Sequence, residues 1–243
     1  MKEYRPEMTF ESAEAALMED VTRGDEAETV AFLERLARGG PTLELAIGTG
    51  RIALPLAARG IQVDGIDFSK AMVARMRAKP GGDLLAVTMG DFADVAVTST
   101  YPLVYVVFNS FFNLLTQEDQ VRCFMNVAPR LDPGGVFVIE AYVPAFLYRQ
   151  PNDQFVNAEA IRVDSVWLDV NRHDPVRQRL EESHVQLSQE GIRVFPVVQR
   201  YAWPCELDLM ARLAGLDLRE RWGGWQGEPF TPGSARHISV FGK

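Results

Sequence analysis

Between residues 26 and 37 the apolar side chains Val30, Leu33 and Leu36 fall three apart, a spacing that puts them on one face of a helix. Asp25 stands where a cap belongs, Glu28 where a capping box places an acid, and Gly39 marks the exit. The period then changes. "TLELAI" is a short, nearly continuous apolar run and predicts a buried strand, "RIALPLAARG" a helix, "IQVDGID" a second strand, and "SKAMVARMRAKP" a helix capped by Ser69 and stopped by Pro80. "LLAVTMGD" predicts a third strand. "YPLVYVVFN", rich in Val and aromatics, predicts a central strand covered on both faces. Thr116 with Asp119 opens another helix carrying Val121, Phe124, Met125 and Ala128, and "LDPGG" turns it into the strand "VFVIEAY". Strand and helix alternate throughout, which predicts an α/β fold with a doubly wound, mostly parallel sheet.

After Pro144 the pattern is different. "AEAIRVDSVWLDVNRH", "VRQRLEESHVQLS" and "IRVFPVVQRYAW" are three strand-like stretches separated by the turn signals "HDP" and "SQEG", as expected of an inserted antiparallel meander. The helical period returns in "PCELDLMARLAGL", with Pro204 suited to the first turn, Leu207, Met210 and Leu213 on one stripe, and Gly215 at the exit. "DLRERW" and "HISVFG" supply two last strands. The chain therefore divides into a core over 1–143 with an N-terminal helical lid, inserted strands over 144–200 that serve as substrate cap or dimer interface, and a completion of the core sheet over 201–243.

Composition narrows the partners. With 243 residues, 47% hydrophobic and 24% charged, the chain has the make-up of a soluble globular protein. A formal charge of −8 leaves no surplus of Lys and Arg for phosphate neutralisation, so no nucleic-acid partner is expected. Cys123 and Cys205 form neither a disulfide framework nor a metal cluster, no apolar run has the length of a membrane span, and the acidic N-terminus lacks the order of a signal peptide. The expectation is a cytoplasmic protein with a small-molecule substrate, no metal, no membrane partner, and a second copy of itself as a candidate partner.

The stretch "LELAIGTGRIALPLAARGIQVDGIDFS" carries the chemistry. A Gly-x-Gly turn between strand and helix lets a ligand approach the backbone, and the helix start offers unpaired amides. "GTGRIA" matches a dinucleotide fingerprint in its Gly/Ala form, and Asp67 lies about twenty residues on, placed to accept from two ribose hydroxyls. A nicotinamide-dependent oxidoreductase is a live reading of that stretch. Three features turn the reading elsewhere. Glu44 interrupts the apolar first strand; Asp91 follows the third strand, where a carboxylate can accept from an adenine amino group with Phe92 against the ring; and no Tyr-x-x-x-Lys pair occurs.

Taken in order, "LELAIGTG", "GIDFS", "GDFADV" and "LDPGGVFVIE" resemble the glycine, ribose, adenine and fifth-strand motifs of class I S-adenosylmethionine-dependent methyltransferases, over Leu43 to about Tyr142. The arrangement is similar to the small-molecule subgroup acting on amino sugars and natural products. Ala46 stands where many members have the first glycine, and no clear Tyr-Asp lid motif is present. The resemblance implies a Rossmann-like seven-stranded sheet with an antiparallel last strand, metal-independent in-line methyl transfer to N or O, and S-adenosylmethionine as cofactor. It implies a cofactor site drawn from Glu44, Ala46, Gly48, Thr49, Gly50, Asp67, Phe68, Ser69, Met72, Gly90, Asp91, Phe92 and Asn109. Because ligands sit beyond the carboxyl ends of parallel strands, Phe111, Phe112, Tyr142, Trp222 and Arg236 are candidates for the substrate. His237, opening an antiparallel final strand, is the first candidate base, with His184 and Tyr201 on the inserted strands as further candidates. Arg23 is a candidate partner for the methionine carboxylate. A non-catalytic cofactor-binding protein is the alternative outside the enzyme classes.

Overall fold

The computed structural model describes residues 4–12, 16 and 24–243. Arg23 and most of the N-terminal lid segment lie outside the described residues. In chain order the elements are α1 (Glu7–Phe10), α2 (Glu26–Ala37), β1 (Thr42–Leu45), α3 (Ala53–Ala58), β2 (Val63–Asp67), α4 (Lys70–Arg77), β3 (Ala86–Met89), β4 (Tyr101–Val106), α5 (Gln117–Val127) and β5 (Leu131–Tyr142). These are followed by β6 (Gln154–Ile161), β7 (Ser165–Asp174), β8 (Arg179–Ser188), β9 (Gly191–Arg200), α6 (Pro204–Leu213), β10 (Asp217–Trp222) and β11 (Arg236–Gly242).

Seven strands form one sheet in the order β10-β11-β5-β4-β1-β2-β3. The pairs β1–β2, β1–β4, β2–β3 and β4–β5 are parallel, and β11 runs antiparallel to both of its neighbours. Sequence order reverses between β1 and β4, and that switch point opens a crevice beyond the carboxyl ends of the strands. Helices cover both faces. Phe32 and Leu33 of α2, Leu56 of α3 and Met76 of α4 pack with Tyr105, Val138 and Ile238 on one side. Phe124 and Val127 of α5 with Leu207 and Met210 of α6 pack against Val104, Phe137, Ile139 and Phe241 on the other. β1 is buried at all four positions, which explains its lack of alternation.

The caps show where the local code holds. Ser69 Oγ accepts the Met72 N–H at 3.1 Å and Thr116 Oγ accepts the Asp119 N–H at 3.0 Å, as their sequence positions predict. Asp25 occupies the N-cap of α2 without a side-chain cap bond, because its carboxylate is drawn to Arg236 at 2.6 Å. The insertion contains four strands rather than three, in the order β6-β7-β8-β9. The first strand-like stretch breaks between Ile161 and Ser165, at a tight turn with neither Gly nor Pro to mark it. A buried network joins this second sheet to the core: Arg200 donates to Gln120 at 2.6 Å, Gln178 at 3.2 Å and Glu206 at 2.7 Å.

Candidate active site

The crevice at the carboxyl edge holds a cavity of about 400 Å³. Its walls come from the loops after β1 (Ala46 to Thr49), β2 (Asp67, Phe68), β3 (Asp91, Phe92) and β4 (Val107, Phe108, Ser110), with Pro6, Glu7 and Phe10 of the α1 segment at its rim.

The turn after β1 is shaped by backbone conformation. Ala46, Gly48 and Gly50 all have positive φ, at 58°, 56° and 77°. A Cβ on Gly48 would meet only Ala46 O at 3.9 Å, which leaves that face of the turn open to a ligand. Asp67 ties the turn to the end of β2: one carboxylate oxygen accepts the Gly48 N–H at 2.7 Å and the other the Ser69 N–H at 2.8 Å. Burial pushes the Asp67 carboxyl up, against the pull of these bonds. Glu44 is also buried and lines the cavity. Desolvation raises its carboxyl to about 8, despite a hydrogen bond donated by the Tyr105 hydroxyl at 3.0 Å. Asp91 accepts the Ala93 N–H at 2.9 Å and pairs with Arg122 at 3.0 Å. Ser69 donates to Phe10 O at 2.6 Å, and Phe10 meets Phe68 edge-on at 6.1 Å, so the rim is fastened to the β2 loop.

Of the residues expected around the cofactor, Glu44, Ala46, Gly48, Thr49, Asp67, Phe68, Met72, Asp91 and Phe92 line the cavity. Gly50, Ser69, Gly90 and Asn109 do not, and their part is to shape the loops. A Cβ on Gly50 would lie 2.7 Å from Met76 Cγ, Ser69 is turned to its cap, the Gly90 amide is bonded to Asp67 O at 2.9 Å, and Asn109 Oδ1 accepts the Tyr142 N–H at 2.7 Å. The cavity also contains Arg51 and Phe108, which sequence reasoning missed. The Arg51 guanidinium lies over the Phe108 ring at 5.2 Å and pairs with Glu26 at 3.3 Å. The signal for Arg51 was a cation directly after the Gly-x-Gly turn.

The substrate and base candidates fare differently, and none of them lines the cavity. Phe111 and Phe112 are fully buried, Phe111 against Phe124 at 5.5 Å and Phe112 against Tyr142 at 5.0 Å, so both are core residues. Trp222 lies on β10, at the sheet edge away from the switch point, and donates to Glu220. Arg236 binds Glu140 at 3.1 Å and Asp25 at 2.6 Å. His237 is completely buried; β alternation turns it away from Arg236 and Ile238, toward the face that α6 covers, where Nδ1 meets Ser239 Oγ at 2.9 Å. Burial pushes its imidazole down to about 3, so it is neutral and sealed, and the strand-end argument for it as base fails. Tyr201 is fully buried between His173 Nε2 at 2.7 Å and the Tyr148 hydroxyl at 2.8 Å, which keeps its phenol far above the ordinary range and out of contact with the cavity.

Tyr142 ends β5 of the first sheet, and His184 lies on β8 of the second. His184 Nδ1 lies 3.2 Å from Glu159, and among the described residues Asp169, Glu182 and His184 bring ligand-type atoms within 4.8 Å of one another. Burial, with Asp169 beside it, raises Glu182 to about 8. The Tyr142 hydroxyl is enclosed without a hydrogen-bond partner, and burial, with the charge of Glu182, pushes its phenol well above the ordinary range.

Residues 42–135 match the family model described as a methyltransferase domain. The CcbJ methyltransferase of Streptomyces caelestis superposes with a TM-score of 0.89 at 36% identity, covering 96% of this chain and 98% of that one. A cypemycin N-terminal methyltransferase of a Streptomyces species is 27% identical over 202 residues, 83% of this chain and 82% of the relative. An amino pentose methyltransferase of Micromonospora echinaspora, solved with S-adenosylmethionine, shares the fold at 24% identity and a TM-score of 0.68, over 93% of this chain and 95% of that one. A glycine turn at the switch point, carboxylates after β2 and β3, one antiparallel strand in a seven-stranded sheet and this full-length likeness agree: the chain belongs to the class I S-adenosylmethionine-dependent methyltransferases.

Proposed function

We propose that this methyltransferase acts on a nitrogen or oxygen of a small polar metabolite, of natural-product or amino-sugar type, without a metal. The observation that carries the reading is the lining of the cavity. The open face of the glycine turn, the Glu44 carboxyl and the carboxylates of Asp67 and Asp91 place polar groups at the ends of β1, β2 and β3, which suits a ligand with a ribose, an adenine amino group and an amino-acid end. S-adenosylmethionine supplies the activated methyl carbon when bound. The chain's residues then have to orient an acceptor and exclude water.

Among the described residues the cavity lining contains no His, Lys or Cys. A hydroxyl acceptor needs a base, a role open to the carboxyl groups of Glu44 and Asp119 in the lining, whereas a neutral amine needs only its lone pair presented. The named activities of the cypemycin N-terminal and amino pentose enzymes support the reading of a nitrogen acceptor. The inserted sheet acts in this reading as a cover for the acceptor, with Glu159, Asp169, Glu182 and His184 as its polar groups. Its opposite face leaves Val156, Ile161, Ile192 and Val194 more than half exposed, and a second copy of the chain is the partner that would cover them. The two free cysteines, Cys123 and Cys205, accord with a cytoplasmic setting.

The test is incubation with S-adenosylmethionine and a panel of amino sugars, peptides with free N-termini, and hydroxyl analogues of each, read by mass for the gain of one methyl group. Methylation confined to amines is the expected result. A thermal shift with NADH but none with S-adenosylhomocysteine would overturn the assignment. Light scattering of the wild type against Val194→Lys tests the second copy.

A further inference from the structure

β4 ends at Val106, and the next residues form a wall of the cavity: Val107, Phe108 and Ser110 line it. Phe108 and Asn109 both sit in the left-handed region, with φ of 55° and 60°. Asn tolerates that region; a bulky aromatic rarely adopts it, so the wall must be held from outside. The holding contacts come from β5. Glu140 Oε2 accepts the Phe108 N–H at 2.9 Å, and the Glu140 carbonyl accepts the Asn109 N–H at 3.2 Å. The Tyr142 N–H donates to Asn109 Oδ1 at 2.7 Å.

Glu140 is itself fixed. It is 6% exposed, and its second oxygen takes Arg236 at 3.1 Å. Arg236 continues to Asp25 at the start of α2, and Arg51, 3.9 Å from Asp25, returns to the Phe108 ring. A closed circuit of contacts thus runs from the strained wall through β5, β11 and α2 back to the residue after the glycine turn.

We infer that Glu140 is a positioning residue for methyl transfer: its carboxylate, anchored by Arg236, holds Phe108 and Asn109 in the backbone shape that sets the acceptor side of the cavity. This rests on the methyl-transfer reading, and one arm of the test does not depend on it. Glu140→Leu removes the acceptor of the Phe108 N–H, and Glu140→Gln keeps an acceptor without the charge. In Glu140→Leu, hydrogen exchange at the Phe108 and Asn109 amides should accelerate, a readout that needs no acceptor molecule. With the amine identified by the mass screen, kcat should fall about tenfold to a hundredfold, the scale of a misaligned reacting pair, while S-adenosylhomocysteine affinity changes less than about threefold. Glu140→Gln should retain most of kcat. Unchanged amide exchange in Glu140→Leu overturns the inference. So does a loss of kcat matched by an equal loss of cofactor affinity, or one that is as large in Glu140→Gln as in Glu140→Leu. If the wild type methylates nothing, the exchange arm still decides whether Glu140 holds the wall.

Discussion

Asp67 and Glu44 show how single carboxylates serve both fold and site. Asp67 accepts two backbone amides, so Asp67→Ala leaves the Gly48 and Ser69 N–H groups without partners. Bonds to a charged acceptor contribute about 1.5–3 kcal/mol. The expected outcome is a lower unfolding midpoint in denaturant together with S-adenosylhomocysteine binding weakened about tenfold or more, read by calorimetry. Glu44 makes a pH prediction. Burial pushes its folded carboxyl up to about 8, well above the ordinary glutamate value of 4.5, so between those values the folded chain binds more protons than the unfolded one. The contribution to stability is therefore lost as pH rises through that window. Melting of the ligand-free protein should show a midpoint that declines toward pH 8, and Glu44→Gln should flatten the decline; an equal slope in the variant would assign it to other groups, Glu182 first among them.

Among elements, the turn after β1 and the strand beside it predict an ordering of glycine variants. A Cβ on Gly65 of β2 would lie 2.4 Å from Ile47 Cδ1 and 2.8 Å from its Cβ, inside the packed wall of the turn. Gly48 has open space but a φ of 56°. Overpacking typically costs about 1–3 kcal/mol, and a left-handed non-glycine residue about 1 kcal/mol. Gly65→Ala should thus lower the denaturation midpoint more than Gly48→Ala. Binding should reverse the order, since the Gly48 methyl projects where a ligand approaches. Equal affinity for S-adenosylhomocysteine in Gly48→Ala and wild type would show that the ligand does not come close to the turn. The same elements were largely legible in sequence, because caps, glycine exits and apolar periods are local. The split between β6 and β7 was not, because the turn at residues 162–164 uses ordinary residues whose conformation the pairing of two strands imposes.

At the scale of the molecule, the question is how the second sheet is held over the edge of the first. Arg200, nearly buried, joins Gln120 of α5, Gln178 ahead of β8 and Glu206 of α6. Removing one partner of such a buried set leaves the rest uncompensated, at a cost of about 3 kcal/mol. Arg200→Ala should unfold at lower denaturant, keep S-adenosylhomocysteine binding, because Arg200, Gln120, Gln178 and Glu206 do not themselves line the cavity, and lose methyl transfer. Loss of cofactor affinity equal to the loss of turnover would show that the second sheet is part of the cofactor site.

What the sequence by itself determined was whatever depends on neighbours along the chain: the alternation of strand and helix, the Ser69 and Thr116 caps, the Gly-x-Gly turn, and the carboxylates after β2 and β3 that reach the cavity because a parallel strand carries its next residue to the same edge. Tertiary structure decided which way a side chain faces once a strand is paired on both sides, and which carboxylates are already engaged. His237 is sealed inside the face of β11 that α6 covers, a placement set by the pairing of β11 with β5, which no local pattern encodes. Asp25 left its helix cap for Arg236, a residue 211 positions away in sequence. Glu140 looked like the end of a strand, and only the strained backbone opposite it, brought there by the pairing of β4 and β5, gives its carboxylate a task.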